Sequence, residues 1–134
     1  MVGTPETNLA IVRSTYEGSS SEENGQNLHK ALAPDAKWTE AQGFPYAGTY
    51  TGFEAISLNV FRRLAEEWLD YKVRIDGYVA SGDQVVAFGT YTGVYKATNK
   101  AFRSRVAHLW KLEGGLIVSF EQFVDSVPVV SAMQ

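Results

Sequence analysis

The chain has 134 residues, a length that predicts a single domain. Hydrophobic residues make up 45% of it and charged residues 20%, a balance typical of a globular protein and not of a disordered segment. Cysteine is absent, so there is no disulfide framework. The formal net charge of -3 lacks the basic excess that neutralises phosphates in nucleic-acid-binding proteins, so DNA and RNA are not expected as partners.

The sequence also indicates where the protein acts. Its N-terminal stretch, MVGTPETNLAIVR, has no basic start followed by an apolar segment and a small-residue cleavage site, so it does not match a signal peptide. No apolar run approaches the roughly 18 residues that a membrane-spanning helix requires. The lack of cysteine fits a reducing compartment. We therefore expect a cytoplasmic protein that does not associate with membranes.

Two helices are predicted at the start of the chain. Thr4-Pro5-Glu6 supplies an N-cap hydroxyl, a proline at the first helical position and an acidic first turn. The apolar stripe that follows includes Val12 and predicts that Tyr16 lies on the buried face of this first helix. A second helix is expected at about 23–33, closing at Pro34.

Two short strands and a third helix come next. The composition favours strands at about 36–40 and 44–50, joined by the turn at Gln42-Gly43. Thr51-x-x-Glu54 matches a capping box, in which the hydroxyl and the carboxylate each accept a hydrogen bond from a free backbone N–H at a helix start. The predicted helix carries a stripe of apolar side chains at mostly three- and four-residue steps: Ile56, Val60, Phe61, Leu64 and Trp68.

From Leu69 onward the chain is rich in β-forming residues. Turn signals at 81–83, 98–100 and 113–115 divide it into four strands joined by hairpins. Helices that come first and strands that come last predict an α+β domain, in which three N-terminal helices cover one face of a strongly curved, mainly antiparallel sheet. This arrangement is expected to enclose a cone-shaped interior.

Polar residues within the apolar strands are candidates for a functional site, because a buried polar group is costly unless it has a partner or a role. Apolar residues lie two positions to either side of His108, so His108 is predicted to face the interior. A three-residue turn at 113–115 would pair His108 with Phe120 and place Gln122 on the same face of the next strand. Gln122 is either a ligand contact or a structural hydrogen-bonding group.

Alternatives stay open for each candidate. His108 is either a pocket residue or a core histidine bonded to a carbonyl or to a carboxylate such as Asp125 or Glu40. Glu40 follows Trp38 by two residues, so the indole would lower the local dielectric and raise the pKa of a buried carboxyl towards that of a general base. Otherwise Glu40 is a solvent-facing residue at a strand end. Tyr16 is either a site residue or part of the core.

Neither a metal nor a cofactor is expected. His29 and His108 are the only histidines, and they do not stand in a metal-binding spacing. No glycine-rich phosphate-binding motif lies between a strand and a helix.

The order of these segments resembles the SnoaL-like branch of the NTF2-like superfamily over about residues 5–128. The resemblance rests on the helix with its inward tyrosine, Ala33-Pro-Asp-Ala-Lys-Trp-Thr-Glu40, the stretch 43–52 before a helix, His108-Leu-Trp110, and the final strand from Gly115 to Asp125. It implies a cone of bent sheet closed by three helices, and pairing of two copies through the outer sheet face. The fold serves isomerases, cyclases, epoxide hydrolases, dehydratases and binding subunits, so it does not fix the function.

Comparison with branches of this family implies roles for individual residues. In the ketosteroid isomerase branch, Tyr16 matches an oxyanion donor and Glu40 lies near the general base. The second acid of that branch falls at about Ala107 or His108, so His108 would have to replace it. The epoxide hydrolase branch has an aspartate at the position of Gln122, and its chemistry is therefore not expected here.

Three hypotheses follow. In the first, the protein is a cofactor-independent isomerase or cyclase for a small hydrophobic carbonyl compound, with Glu40 as base and Tyr16 and His108 as donors to the enolate oxygen. In the second, it is a non-catalytic binding or accessory domain with the same pocket, and in the third a scaffold whose interior is filled. A homodimer is expected under all three. The predicted ligand-binding residues are Trp38, Tyr46, Tyr50, Trp110, Gln122 and Asp125.

Overall fold

The computed structural model describes residues 4–134 as a six-stranded sheet with helices packed on it. The helical elements are α1 (Pro5–Ser14), α2 (Ser21–Ala31), α3 (Phe53–Ile56), α4 (Arg62–Glu67) and α5 (Ser126–Ala132), and a π-helical segment (Ser57–Phe61) joins α3 to α4. The strands are β1 (Leu32–Glu40), β2 (Gly48–Thr51), β3 (Trp68–Ser81), β4 (Gln84–Tyr95), β5 (Lys100–Glu113) and β6 (Leu116–Val124). Within residues 4–134, no helix is long and apolar enough to cross a membrane.

The start of α1 confirms the predicted N-cap. The Thr4 hydroxyl accepts a hydrogen bond from the Thr7 backbone N–H, and the Thr7 hydroxyl accepts one from the Thr4 N–H. These bonds satisfy two backbone donors that a helix start leaves free. The apolar stripe had predicted that Tyr16 lies on the buried face of this helix. The helix ends at Ser14, however, so Tyr16 lies in the turn that follows it.

The second helix ends earlier than predicted. The Ser20 hydroxyl caps α2, and the helix stops at Ala31, three residues before Pro34. β1 begins at the next residue and includes Pro34, where the pairing of β1 with β6 is irregular between Leu32 and Lys37. Proline has no N–H to donate to a neighbouring strand, and such an irregularity accommodates it.

The predicted capping box at Thr51 and Glu54 is wrong. The N-cap residue of α3 is Gly52, which has φ 84° and makes no side-chain cap. Thr51 belongs to β2, where its hydroxyl accepts a hydrogen bond from Lys37 Nζ. The chain turns into the helix at a positive φ, which glycine adopts more readily than other residues.

The helical stretch 53–67 also ends one residue earlier than its stripe suggested. Trp68 is the first residue of β3 and pairs with Tyr95 of β4. Because the π-helical segment divides the stretch, four α-helical segments precede β3, and the prediction had three. The sequence analysis did not predict α5.

The sheet has the strand order β2-β1-β6-β5-β4-β3. Only β1 and β6 are parallel; the other neighbours are antiparallel, which confirms the four consecutive antiparallel strands from β3 to β6. The register between β3 and β4 shifts twice, and such irregularities bend a strand and increase its twist. The molecule is thus an α+β protein with a curved sheet.

The predicted pairing of His108 with Phe120 is wrong by two residues. His108 pairs with Gln122, and Trp110 pairs with Phe120. Gly114 and Gly115 both have positive φ, and they form a two-residue turn in place of the predicted three-residue one. A further register irregularity follows between Lys111 and Leu112. A shift of two residues preserves the face, so the prediction that His108 and Gln122 share one face is confirmed.

The core lies between the helices and the inner face of the sheet. Alternate residues of β5 from Phe102 to Leu112 are buried, and His108 stands in the middle of this row. On β4, the same face carries Val85, Ala87 and Tyr91. The inner face therefore brings polar side chains from several strands to one place.

Candidate functional site

A cavity of about 210 Å³ lies between the helices and the inner face of the sheet. The sheet contributes side chains from five of its strands, because inward-facing positions recur at every second residue. The helical layer closes the cavity with residues from the end of α1, from α2 and from the segment around the π-helix. The lining residues are Thr15, Tyr16, Leu28, Trp38, Glu40, Val60, Phe61, Leu64, Tyr71, Val73, Tyr91, His108, Trp110 and Phe120.

A continuous chain of hydrogen bonds runs along the inner face. The Trp110 indole N–H donates to the Tyr16 phenol oxygen at 2.9 Å, and that oxygen lies 2.5 Å from His108 Nδ1. His108 Nε2 lies 2.5 Å from the Tyr91 phenol oxygen, which also accepts a hydrogen bond from Gln122 Nε2 at 3.0 Å. The five side chains therefore form one hydrogen-bonded network.

His108 is neutral in this network. The imidazole is buried, and burial lowers its pKa to about 3 because the charged form is disfavoured away from water. Both ring nitrogens are occupied by the phenols of Tyr16 and Tyr91. The sequence analysis had predicted His108 as a direct hydrogen-bond donor. Since both ring nitrogens are hydrogen-bonded to phenols, the imidazole can act on the cavity only through Tyr16 and Tyr91.

Glu40 is a buried acid without a partner. Only 4% of its surface is exposed, and within residues 4–134 its carboxyl group forms neither a hydrogen bond nor an ion pair of normal length. Burial raises its pKa to about 8, because the ionised form loses its hydration. The Trp38 indole N–H opposes this shift, although no hydrogen bond of normal length joins the two groups. Glu40 is thus able to hold or release a proton near neutral pH.

The three tyrosines of the cavity are protonated phenols. Burial raises the pKa of Tyr16, Tyr71 and Tyr91 well above the usual value, and the nearby Glu40 charge adds to the effect. They are therefore hydrogen-bond donors at any ordinary pH. The Tyr71 hydroxyl is buried and has no hydrogen-bond partner among residues 4–134.

Comparison with known proteins identifies the family to which these features belong. The model of the SnoaL-like domain matches residues 12–120. The chain belongs to the SnoaL-like family. No curated protein matches the sequence.

Solved structures agree with this assignment. An NTF2-like protein from Burkholderia thailandensis is 43% identical, with a TM-score of 0.89, over 95% of this chain and 97% of that one. An NTF2-like protein of unknown function from Burkholderia pseudomallei is 24% identical, with a TM-score of 0.84, over 96% and 98% of the two chains. A hypothetical protein from Catenulispora acidiphila with a ketosteroid isomerase-like fold, in complex with trimethylamine, is 25% identical, with a TM-score of 0.72, over 97% and 93%. The predicted resemblance is confirmed.

The SnoaL-like cavity brings together most of the predicted site. Glu40, Tyr16, His108, Trp38 and Trp110 all line it. Gln122 is buried just behind the lining: its amide nitrogen donates to Tyr91, and its Oε1 accepts the Ala41 backbone N–H at 3.0 Å. The two groups that flank this glutamine fix the direction in which its amide points.

Three predicted ligand-binding residues lie outside the lining of the cavity. The Tyr46 phenol donates to Glu67 at 2.7 Å in a separate apolar cluster, where it also accepts the Trp68 indole N–H. The Tyr50 phenol, at the edge strand β2, donates to the Tyr46 carbonyl at 2.8 Å. Asp125 is exposed and caps α5, where its carboxylate accepts the Val127 N–H.

Two tyrosines that line the cavity were missed by the sequence analysis. Tyr91 lies at every-second-residue spacing from Ala87 on the inner face of β4, and Tyr71 lies on β3 beside it. Extending the alternation used for His108 to its neighbouring strand would have found Tyr91. No group of three potential metal ligands occurs in the part of the chain that the structure describes.

Proposed function

We propose that the protein is a cofactor-independent isomerase or cyclase-type enzyme that acts on a small, uncharged carbonyl compound. The observation that carries this proposal is that a buried, unpaired acid and a cluster of protonated phenols line one cavity. Glu40 transfers the proton, and a phenol of the Tyr16–His108–Tyr91 network donates a hydrogen bond to the carbonyl oxygen.

The reaction moves a proton between two carbon atoms. The Glu40 carboxylate takes a proton from the carbon next to the carbonyl, and the electron pair of the broken C–H bond forms an enolate. The phenol hydrogen bond stabilises the charge on the enolate oxygen in a site with little water. Protonated Glu40 then returns the proton to the same or another carbon, so no oxidant, reductant or cofactor is consumed.

The lining of the cavity defines the class of substrate. No lysine or arginine is among its lining residues, which argues against an anionic substrate. A cavity of roughly 150 Å³ holds a benzene molecule, whereas drug-sized ligands occupy roughly 300–1,000 Å³. The observed cavity of about 210 Å³ therefore suits a single substituted ring and not a fused polycyclic compound.

The pH dependence of isomerisation tests this proposal. With cyclohex-3-enone as a probe, the protein should move the double bond into conjugation with the carbonyl, which is followed by ultraviolet absorbance. Glu40 must be ionised to act as base, so kcat/KM should rise about fivefold between pH 7 and pH 8 and level off above its pKa of about 8.

The same experiment separates catalysis from binding. The rate without protein, measured at each pH, is subtracted as the background. If the probe raises the melting temperature but no isomerisation or exchange of α-protons with D₂O is detected, the domain binds carbonyl compounds without catalysis. If the rate falls as the pH rises from 7 to 8, Glu40 does not act as the base.

We also propose that two copies pair through the outer face of the sheet. Phe88, Ala107 and Phe123 lie in register across β4, β5 and β6, on the face opposite His108. Half of the Phe123 surface is exposed, and burial of such an apolar row against a second copy would be favourable. Sedimentation at micromolar concentration should show a dimer, and Phe123→Glu should give a monomer. A wild-type monomer throughout this range contradicts the proposal.

A further inference from the structure

The hydrogen-bond network at His108 has an unbalanced proton count. Tyr16 and Tyr91 each carry one O–H, and the neutral imidazole between them carries one N–H, so the three groups hold three protons. Only two hydrogen bonds join them, one at Nδ1 and one at Nε2. One phenol O–H is therefore not used within this trio.

The two ends of the network cannot accept that proton. The Trp110 indole N–H is only a donor, and it already donates to Tyr16. At the other end, Gln122 presents its amide nitrogen to Tyr91, because its oxygen accepts the Ala41 backbone N–H. Within residues 4–134, neither phenol has a further acceptor. The unused O–H belongs to a side chain that lines the cavity.

Two arrangements satisfy the network equally. In one, Tyr16 donates to Nδ1 and Nε2–H donates to Tyr91, which leaves the Tyr91 O–H unused. In the other, Tyr91 donates to Nε2 and Nδ1–H donates to Tyr16, which leaves the Tyr16 O–H unused. The tautomer of His108 therefore decides which phenol has a free proton.

We propose that His108 is a positioning residue that couples Tyr16 and Tyr91, so that only one of the two phenols at a time donates a hydrogen bond to a ligand in the cavity. This inference rests on the proposed function only for the identity of the ligand atom, a carbonyl or enolate oxygen. Binding of such an oxygen at one phenol selects the imidazole tautomer whose N–H donates to that phenol, and the other phenol then donates its O–H to the imidazole. The network thus presents a free O–H to the cavity at either Tyr16 or Tyr91, but never at both.

Nitrogen NMR of histidine-labelled protein tests the coupling directly, since it distinguishes Nδ1–H from Nε2–H. A buried unpaired N–H is more costly than an unpaired acceptor nitrogen. Tyr16→Phe should therefore favour Nε2–H, which still donates to Tyr91, and Tyr91→Phe should favour Nδ1–H, which still donates to Tyr16. Each variant should show at least about a tenfold excess of its tautomer.

Matched controls make the result specific. Tyr50→Phe removes a phenol outside the cavity and should leave the His108 signals as in the wild type. His29→Ala assigns the spectrum, because the chain has only two histidines. The same tautomer in both cavity variants would overturn the proposal. An imidazolium in the wild type at pH 7 would overturn it without any variant, since both nitrogens would then donate.

The readout is independent of turnover. Glu40→Gln should leave the tautomers of the wild type, Tyr16→Phe and Tyr91→Phe unchanged, because Glu40 forms no hydrogen bond with the network. Opposite tautomers without isomerase activity would support the coupling and contradict the proposed function. Isomerisation that depends on Glu40, together with identical tautomers in the two phenylalanine variants, would support the function and contradict the coupling.

Discussion

Glu40→Gln should lower kcat/KM for isomerisation of cyclohex-3-enone by about 10²- to 10⁴-fold, the range by which a positioned acid or base contributes to catalysis. Glutamine has nearly the same shape as glutamate but cannot take up the substrate proton. Because no hydrogen bond or ion pair of normal length engages the Glu40 carboxyl group within residues 4–134, the substitution alters only its weaker interaction with the Trp38 indole N–H. The loss should therefore appear in the rate and not in the fold.

The matched control is Glu54→Gln, which neutralises an exposed carboxylate on α3 outside the cavity. It should leave kcat/KM unchanged. Circular dichroism and the melting temperature should show that both variants are folded. Should Glu40→Gln retain wild-type activity, another group takes the proton, and the catalytic role of Glu40 is wrong.

The sequence predicted the parts of this site that depend on strand alternation. Trp38 and Glu40 lie two residues apart on β1 and both line the cavity, as the regular spacing of a strand requires. His108 and Gln122 were placed on one face although their pairing was off by two residues, since an even shift leaves each side chain on its face. The sequence thus predicts which face of the sheet a side chain occupies more reliably than it predicts the exact pairing of the strands.

Features that depend on tertiary contacts or unusual backbone geometry could not be predicted in this way. Tyr46 and Tyr50 are aromatic residues near the predicted site, but the hydrogen bonds of their phenols to Glu67 and to the Tyr46 carbonyl hold them elsewhere. Thr51 matches a capping motif, yet a positive φ at Gly52 moves the helix start by one residue. Strand alternation and helical periodicity predict neither these phenol hydrogen bonds nor the positive φ at Gly52.

The π-helical segment is another feature that the sequence did not predict. Val60 and Phe61 are consecutive residues of this segment, and both line the cavity. The apolar stripe identified both residues as inward-facing, but periodicity near 3.6 does not distinguish an α-helix from a single wider turn. Wider turns of this type occur often at functional sites, which agrees with the position of this one.

The stability of the protein should be greatest between about pH 4.5 and 6.5 and fall on both sides. The pKa of Glu40 rises from 4.5 to about 8 on folding, so between these values the folded protein holds a proton that the unfolded chain has released. The contribution of Glu40 to the free energy of unfolding therefore decreases as the pH rises from 4.5 to 8. The pKa of His108 falls from 6.5 to about 3, so its contribution decreases as the pH falls below 6.5.

Between pH 4.5 and 6.5 the two effects have opposite slopes of one proton each and cancel. Above pH 6.5 only Glu40 still acts, and it should lower the free energy of unfolding by about 2 kcal/mol by pH 8. Of these two groups, only His108 changes the stability below pH 4.5. It should lower the free energy of unfolding by about 1.4 kcal/mol for each further pH unit down to about pH 3.

Urea unfolding followed by tryptophan fluorescence at a fixed protein concentration measures these changes, and the concentration is fixed because a dimer would make stability depend on it. Glu40→Gln removes the pH dependence of the unfolding free energy that Glu40 contributes, and it leaves every other titrating group in place. The difference in unfolding free energy between this variant and the wild type should grow by about 5 kcal/mol between pH 4.5 and 8 and then stay constant. Parallel curves for the two proteins would mean that Glu40 ionises in the folded protein as it does in the unfolded chain, and would remove the basis for its role as a base near pH 8.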